Sequence, residues 1–470
     1  MSPFNGKLVI VSNREPYVRR KGKLEKTAGG LVSALDPIMQ KNGGIWIAAG
    51  SGERSPVGDS TKTTVPPDAP AYVQKSIWLK EAYENNYYHG YSNRFLWPLC
   101  HMTLDRVFLR RAYWSAYKKV NSLFAEAVLE ETGDEPAVVW LQDYHLSLCA
   151  RDLKEKNRKL VVLQFWHIPW PPHDIFRICP QRKEILEGLL ANDLIGFHLD
   201  SFCQNFMTCV DRELGAGVDF KEGFVHYKGH TTRVKAFPIS IDFEWFARSA
   251  SSPKARRTWE RFRKTLKLPQ DGYVGVGVDR LEYTKGLIKR LEAIDLFFTK
   301  YPRYRRRFTF IQIAVPTRKV EPYLSYREKV EALVAKINAH YGEADWEPIK
   351  YIDYKLSHDD LAAIYDGVDL AVVSSIYDGM NLVAKEYIAS QVDEKGVLLL
   401  SEFAGAAEAI PGAMLINPYD TECFADAIKQ ALQLPASEKQ KMIRASIAYL
   451  REHDIYRWVG DILDEVERLK

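Results

Sequence analysis

The sequence is poor in the features that usually announce a metal site, a secreted scaffold or a membrane anchor. Its six cysteines, at positions 100, 149, 179, 203, 209 and 423, are scattered and form no CxxC pair. This excludes an obvious zinc site or a disulfide framework and predicts reduced, mostly buried thiols in a cytoplasmic protein. No apolar run approaches the length of a membrane span, and the apolar run near the start, Lys7–Val11, is too short for a signal-peptide core. A soluble protein without a membrane partner is expected. The net charge of +4 is small for 470 residues, which argues against a dedicated nucleic-acid binder but leaves room for a local basic pocket. Neither a GxGxxG fingerprint nor a GxxxxGK loop ending in Ser or Thr is present, so a dehydrogenase and a P-loop enzyme both lack support. Internal repeats and low-complexity tracts are also missing.

What is present is an alternation of short apolar runs with longer amphipathic segments, the mark of an α/β protein with parallel sheets. A chain of 470 residues exceeds one ordinary core, so two domains of about 200 to 250 residues are expected. Strands are predicted at Lys7–Val11, Gly44–Ala48, Ala137–Leu141, Leu160–Phe165, Leu194–Gly196 and Arg233–Pro238 in the first half. The second half has Tyr273–Val278, Phe308–Ala314, Ile349–Ile352, Leu370–Ser374, Val397–Leu400 and Ala413–Ile416. Composition changes between about Asp242 and Asp271, where a Ser- and Pro-containing stretch meets a charged run. The expected domains are therefore 1–245 and 246–453. The remaining segment reads as one more amphipathic helix, with Ile455, Trp458, Ile462, Leu463 and Val466 as its apolar stripe.

Polar residues follow the predicted strands with unusual regularity. Ser12-Asn13-Arg14, Gln142-Asp143-Tyr144-His145 and His167 do so in the first half; Asp279-Arg280, Thr317-Arg318 and Asp378 do so in the second. Ligands bind outside the carboxyl ends of strands in open parallel sheets, so a site in a cleft between two facing domains is expected. Asp378-Gly379-Met380-Asn381-Leu382 joins a strand to a helix, exposing backbone N–H groups and a helix dipole suited to oxygen-rich ligands; Glu386 lies one to two turns further in. Arg280 and Lys285, on another strand-to-helix connection, would suit a pyrophosphate whose charge grows as a nucleoside diphosphate leaves. Gly29-Gly30 would allow close backbone approach. In the aromatic run from Tyr87 to Trp97, Tyr87, Phe95 and Leu96 read as core, while Tyr88 and Trp97 suit sugar stacking.

Together these motifs resemble the trehalose-6-phosphate synthase family of retaining glycosyltransferases. The motifs that carry the resemblance are Ser-Asn-Arg, Ala-Gly-Gly-Leu, Leu-Trp-Pro, Asp-Tyr-His-Leu, His-Ile-Pro, Arg-Leu-Glu-Tyr-Thr-Lys-Gly and Asp-Gly-Met-Asn-Leu-Val-Ala-Lys-Glu-Tyr, spread over nearly the whole chain. The resemblance implies the GT-B fold: two Rossmann-like domains, the first binding the acceptor and the second the nucleotide sugar, with the helix at 454–470 crossing back to the first. It implies that Arg280 and Lys285 hold the donor pyrophosphate, Glu386 the ribose, and Asp378 with the backbone of Gly379, Met380, Asn381 and Leu382 the transferred glucose. His167 would meet the glucose 6-hydroxyl and Gly30 the donor phosphate. Arg14, Tyr88, Trp97 and Arg318 would bind a phosphorylated acceptor, and Asp143 an acceptor hydroxyl. Asp143, His167, Arg280, Lys285 and Asp378 form the implied catalytic set, with no metal and no cofactor beyond the nucleoside diphosphate glucose.

The implied reaction moves glucose from that donor to glucose 6-phosphate, giving α,α-trehalose 6-phosphate, which a separate phosphatase would then process. Glycerol 3-phosphate or a cyclitol phosphate is the alternative acceptor, and a silent sugar-phosphate sensor the alternative class. A covalent route to retention would need a carboxylate nucleophile beside an acid/base. Asp143 and Asp378 come from opposite domains, whereas Arg280 and Lys285 match a mechanism driven by leaving-group stabilisation. The sequence departs from the family where Tyr377 replaces the usual Arg before Asp-Gly-Met-Asn, in Phe165-Trp-His-Ile-Pro-Trp-Pro171, and at Asp353-Tyr-Lys-Leu356. Those departures bear on the nucleobase and the acceptor. Nothing in the sequence sets the oligomeric state, and a homo-oligomer stays open.

Overall fold

A computed structural model describes residues 7–27, 30–53, 60–316 and 321–469. The chain divides into two compact units, Met1–Ile239 with Tyr456–Lys470, and Ser240–Ile455. The division falls just ahead of the expected 242–271 stretch. The charged run there is no linker: it is the helix Pro253–Thr265, which buries Ala255, Thr258 and Phe262 and belongs to the second unit.

Unit 1 contains β1 (Lys7–Ser12), β2 (Tyr17–Arg20), β3 (Lys23–Lys26), β4 (Ile45–Ala49), β5 (Ser60–Val65), β6 (Tyr72–Ile77), β7 (Ala137–Gln142), β8 (Val161–Phe165), β9 (Leu194–Phe197), β10 (Gly217–Asp219), β11 (Phe224–Tyr227) and β12 (His230–Ala236). Among the described residues ten of them form one sheet in the order β10-β11-β12-β9-β8-β7-β1-β4-β6-β5. The central strands are parallel and continuously apolar; all six residues of β7 are buried. Burial on both faces removes the inside–outside alternation, so such strands read as unbroken hydrophobic runs. The rims are antiparallel, β5 against β6 and β10 against β11 against β12, and β5, β6, β10 and β11 have no counterpart among the expected strands. The polar run Ser60-Thr-Lys-Thr-Thr64 carries no apolar signal, because an edge strand has a face to leave in water.

Unit 2 contains β13 (Tyr273–Arg280), β14 (Phe308–Val315), β15 (Ile349–Ile352), β16 (Leu370–Val373), β17 (Val397–Ser401) and β18 (Met414–Ile416). They form a wholly parallel sheet in the order β15-β14-β13-β16-β17-β18. Strand order reverses between β1 and β7 in unit 1 and between β13 and β16 in unit 2. These are topological switch points, where successive crossovers leave in opposite directions and open a crevice at the strand ends.

The segment Glu84–Leu96 is a π-helix, followed by the short helix Trp97–Cys100. The wider turn brings residues four apart onto one face, and Tyr87, Tyr91 and Phe95 are buried there. Leu96 is core as expected. Trp97 is also buried, at 7% exposure, and stacks on His101 at 4.1 Å. Trp166 and Trp170, on either side of His167, are fully buried. Five cysteines are buried, Cys423 is exposed, and all six are free thiols.

The helix Ile455–Leu469, which belongs to unit 1 from Tyr456 on, buries Trp458, Val459, Ile462 and Val466. Val459 takes the place in the buried stripe that the sequence pattern assigns to Leu463, which is only half-buried. Trp458 lies against Trp140 and Phe165, at ring distances of 5.7 and 5.0 Å, and its Nε1–H donates to the Phe237 carbonyl at 3.0 Å. Glu465, also buried, accepts from Arg233 Nε at 2.8 Å and Lys235 Nζ at 2.6 Å. Among the described residues no helix is long and apolar enough to cross a membrane.

Candidate functional site

At the unit 1 switch point, β1 ends in Ser12, whose Oγ donates to the Arg14 carbonyl at 2.7 Å and turns the chain outward. Exposed Arg14 donates to the Tyr88 hydroxyl at 2.9 Å. The half-buried Tyr88 ring stacks on His145 at 5.7 Å. The sequence spreads these groups over more than a hundred residues, from Arg14 to His145; the strand ends and the π-helix bring them together. Gly30 opens the helix Gly30–Asn42 and is exposed. Its neighbours Ala28 and Gly29 lie outside the described residues, as does Arg318.

Asp143, immediately after β7, holds φ 69° and ψ 176°, a conformation essentially reserved for glycine. Cross-bonding from β8 holds it there. The Asp143 N–H donates to the Phe165 carbonyl at 2.7 Å, and Gln164 Nε2 donates to the Asp143 carbonyl at 3.0 Å. Asp143 Oδ1 accepts from the backbone N–H groups of Tyr144 at 3.0 Å and His167 at 3.1 Å. His167 in turn shares a 2.9 Å hydrogen bond between Nε2 and Gln142 Oε1. Burial, followed by the nearby His198 and His145, holds the His167 pKa well below its ordinary value, so the ring is neutral. Asp143 and His167 thus form one laced assembly.

The unit 2 switch point is built from charge. Gly286, at φ 65°, lets the turn after Lys285 press on the end of β16; a Cβ there would sit 2.0 Å from the Ser374 carbonyl oxygen. Lys285 Nζ consequently reaches Asp378 Oδ2 in a short ion pair. The same oxygen accepts from Ser375 Oγ and Asn381 Nδ2, each at 3.1 Å. Asn381 caps the helix Leu382–Ser390 with its Oδ1 on the Ala384 N–H at 3.3 Å. The turn between them is clamped from behind, with Asp378 N–H on the Phe403 carbonyl, Gly405 N–H on that of Asp378 and Ala406 N–H on that of Met380, at 3.1, 3.1 and 2.8 Å. Gly405 has to be glycine for that clamp, since a Cβ would lie 2.2 Å from the Gly379 carbonyl oxygen.

Arg280 ends β13 with its guanidinium 3.0 Å from the fully buried Glu282. Beneath it Arg290, also fully buried, pairs with Asp279 at 2.6 Å and donates to Ser374 Oγ and Gln312 Oε1, each at 3.1 Å. Burial raises the Asp279 carboxyl above its ordinary value even though Arg290 pulls it down. Half-buried Glu386 accepts from the Tyr365 hydroxyl at 3.3 Å, and desolvation pushes its pKa to about 7. The neighbouring Lys385 is buried and pushed down to about 7 by the same cause.

The sequence reading passed over Glu282 and Arg290. Glu282 had a signal, sitting two residues after Arg280 on a strand end. Arg290 had none, because a buried arginine inside a helix reads like any solvated one. No group of three or more His, Cys, Asp or Glu side chains is placed to hold a metal ion among the described residues.

Two Rossmann-like units of parallel strands, each with its polar groups gathered at a switch point, are the architecture of the GT-B class of sugar-transferring enzymes. The family model of glycosyltransferase family 20 matches residues 6–468, and the chain belongs to that family. It is thereby a hexosyltransferase. An α,α-trehalose-phosphate synthase (UDP-forming) of Dictyostelium discoideum is 35% identical over 99% of this chain, which spans 63% of that relative's length. The corresponding protein of Candida albicans is 34% identical over 98% of this chain and 97% of its own. A solved UDP-forming trehalose-phosphate synthase of Burkholderia xenovorans, in complex with glucose-6-phosphate, superposes with a TM-score of 0.90 at 31% identity, over 98% of this chain and 100% of that one.

Proposed function

We propose that the protein transfers glucose from a nucleoside diphosphate glucose to glucose 6-phosphate, with retention, to form α,α-trehalose 6-phosphate. The observation that carries this reading is the unit 2 cradle, in which Lys285, Ser375 and Asn381 all converge on one oxygen of Asp378 at a helix start. It offers a carboxylate and backbone N–H groups for sugar hydroxyls, beside a cation for phosphate. The names of the relatives support the acceptor and favour a uridine donor.

In this reading Arg280 and Lys285 receive the pyrophosphate and its growing charge, which stabilises the leaving group without a covalent enzyme intermediate. Lys285 is held on Asp378 and Arg280 on Glu282, so both cations are aimed before the donor arrives. Asp378 and the Gly379–Leu382 backbone take the glucose, Glu386 the ribose, and Gly30 the donor phosphate. His167 meets the 6-hydroxyl, and Asp143 takes an acceptor hydroxyl. Arg14, Tyr88, Trp97 and Arg318 bind the acceptor phosphate region. No metal is assigned a role. Retention follows from attack on the face the diphosphate leaves, the departing phosphate taking the acceptor proton.

The test is a matrix of nucleoside diphosphate glucoses against glucose 6-phosphate, glycerol 3-phosphate and a cyclitol phosphate, scored by diphosphate release and the anomeric form of the product. Turnover with glucose 6-phosphate and a uridine donor is expected. Turnover with glycerol 3-phosphate alone would replace the acceptor, and tight sugar-phosphate binding without turnover would replace the enzyme by a sensor.

A further inference from the structure

We propose that Gln142 is a positioning residue that fixes the tautomer of His167, presenting imidazole Nδ1 as a hydrogen-bond acceptor that selects a donor sugar carrying a 6-hydroxyl. The selectivity half rests on the assignment of His167 to the transferred glucose; the tautomer half does not.

The argument begins with strand register. β7 and β8 are adjacent and parallel, with Gln142 opposite Phe165, so the last side chain of β7 lies beside the chain leaving β8. Gln142 is 1% exposed, which removes water as a competitor for its amide. Its Oε1 faces His167 Nε2 at 2.9 Å. A neutral imidazole has one donor nitrogen and one acceptor nitrogen, and the partner of the first decides the role of the second. With a carbonyl oxygen at Nε2, the proton belongs there. Nδ1 then keeps a lone pair, and it makes no hydrogen bond among the described residues.

The ring cannot easily turn to undo this. The His167 N–H is tied to Asp143 Oδ1 at 3.1 Å. Rings of Phe165, His198 and Trp458 surround the imidazole at 4.6, 5.4 and 6.3 Å. Burial keeps the ring neutral and so preserves the distinction between its nitrogens. A hydroxyl can donate to Nδ1, whereas a donor sugar without the hydroxymethyl group leaves that lone pair unmet. A site built around a hydroxyl rejects the analogue lacking it far more strongly than an apolar pocket would.

The experiment has two arms. Imidazole-15N-labelled protein, with the His167 signal identified by its loss in His167→Asn, is expected to show the Nε2–H tautomer. Gln142→Leu should shift that signal towards Nδ1–H, and Gln142→Glu, which keeps an oxygen acceptor, should restore Nε2–H. In the second arm kcat/KM is compared for the uridine diphosphate derivatives of glucose and xylose. Gln142→Leu should reduce the preference for glucose by about tenfold or more, chiefly by losing the glucose reaction, and Gln142→Glu should keep it. An Nδ1–H wild-type ring overturns the tautomer assignment. Equal losses with both donors would mark Gln142 as merely structural and overturn the selectivity. If no sugar is transferred by any variant, the functional reading fails while the spectra still decide the tautomer.

Discussion

The two switch points position their chemistry by different means. In unit 1, Asp143 and His167 are aimed by hydrogen bonds to uncharged backbone and amide partners and by a backbone forced into a glycine-type conformation. In unit 2, Arg280, Lys285 and Arg290 are each held by a carboxylate, and a fourth carboxylate, Glu386, is desolvated until its pKa reaches about 7. Neutral lacing suits groups that orient hydroxyls, whose charge does not change during reaction. Ion pairs suit cations that must be ready for a growing negative charge and can exchange one anion for another.

The largest break in this contrast should come from Arg280→Ala. Loss of a charge-matched donor at a leaving group typically costs about 10²–10³ in rate. The expected result is a fall of that size in kcat with little change in acceptor KM, measured by diphosphate release. A change confined to KM would remove Arg280 from the leaving group.

Next is Glu386, whose raised pKa makes unit 2 sensitive to pH. On the proposed ribose role its carboxylate is the acceptor, so donor KM should rise as pH falls through about 7. The stability effect has the opposite sense. A carboxyl raised in the folded state binds more protons than in the unfolded one between its ordinary value and about 7, so stability declines as pH rises across that window. Glu386→Gln should therefore melt higher than the parent at pH 8 but not at pH 5, at about 2–4 °C per kcal/mol for a unit of this size. Equal melting temperatures at pH 8 would place the carboxyl in water.

A smaller effect tests the unit 1 strain. Asp143→Gly should be more stable than Asp143→Ala by about 1–2 kcal/mol, the reverse of the usual order for these residues, because only glycine adopts φ 69°, ψ 176° without cost. Urea unfolding of the two variants measures this, and the ordinary order would mean the backbone relaxes once the carboxylate is gone.

The smallest concerns Glu465. Burial raises its pKa, but the hydrogen bonds from Lys235 and Arg233 more than offset this and leave it below its ordinary value. Its contribution is present above the ordinary carboxylate range and is lost as pH falls through the depressed folded value. Glu465→Gln should thus cost about 1 kcal/mol at pH 7 and progressively less in acid. A loss independent of pH would assign the cost to packing.

Much of this was legible in the residues. The continuous apolar runs of β7, β8 and β14 have no rival as buried parallel strands, and the polar residues after them mark the strand ends. Asp378, Lys285 and Arg280 stand out because each follows a strand and precedes a helix. The rest resisted for stated reasons. Edge strands such as β5 have too little apolar surface to signal themselves. A π-helix shares its side-chain types with an α-helix and differs only in a spacing that a period of 3.6 blurs. Strain at Asp143 is invisible in sequence, since nothing about an aspartate announces a positive φ. Gln142 and Gln164 look like any polar residues on strands until the neighbouring strand is in place.

Unit 1 is discontinuous in sequence, and this has a consequence for how the protein is made. Synthesis runs from the N-terminus, so all of Ser240–Ile455 is made before Trp458 and Glu465 exist. Until then the Phe237 carbonyl, the Trp140 and Phe165 rings and the Arg233–Lys235 pair wait without the partners the helix Ile455–Leu469 brings. The nascent first unit therefore carries an uncovered apolar seat, and the scaffold behind His167 is completed only by a helix translated after the whole second unit.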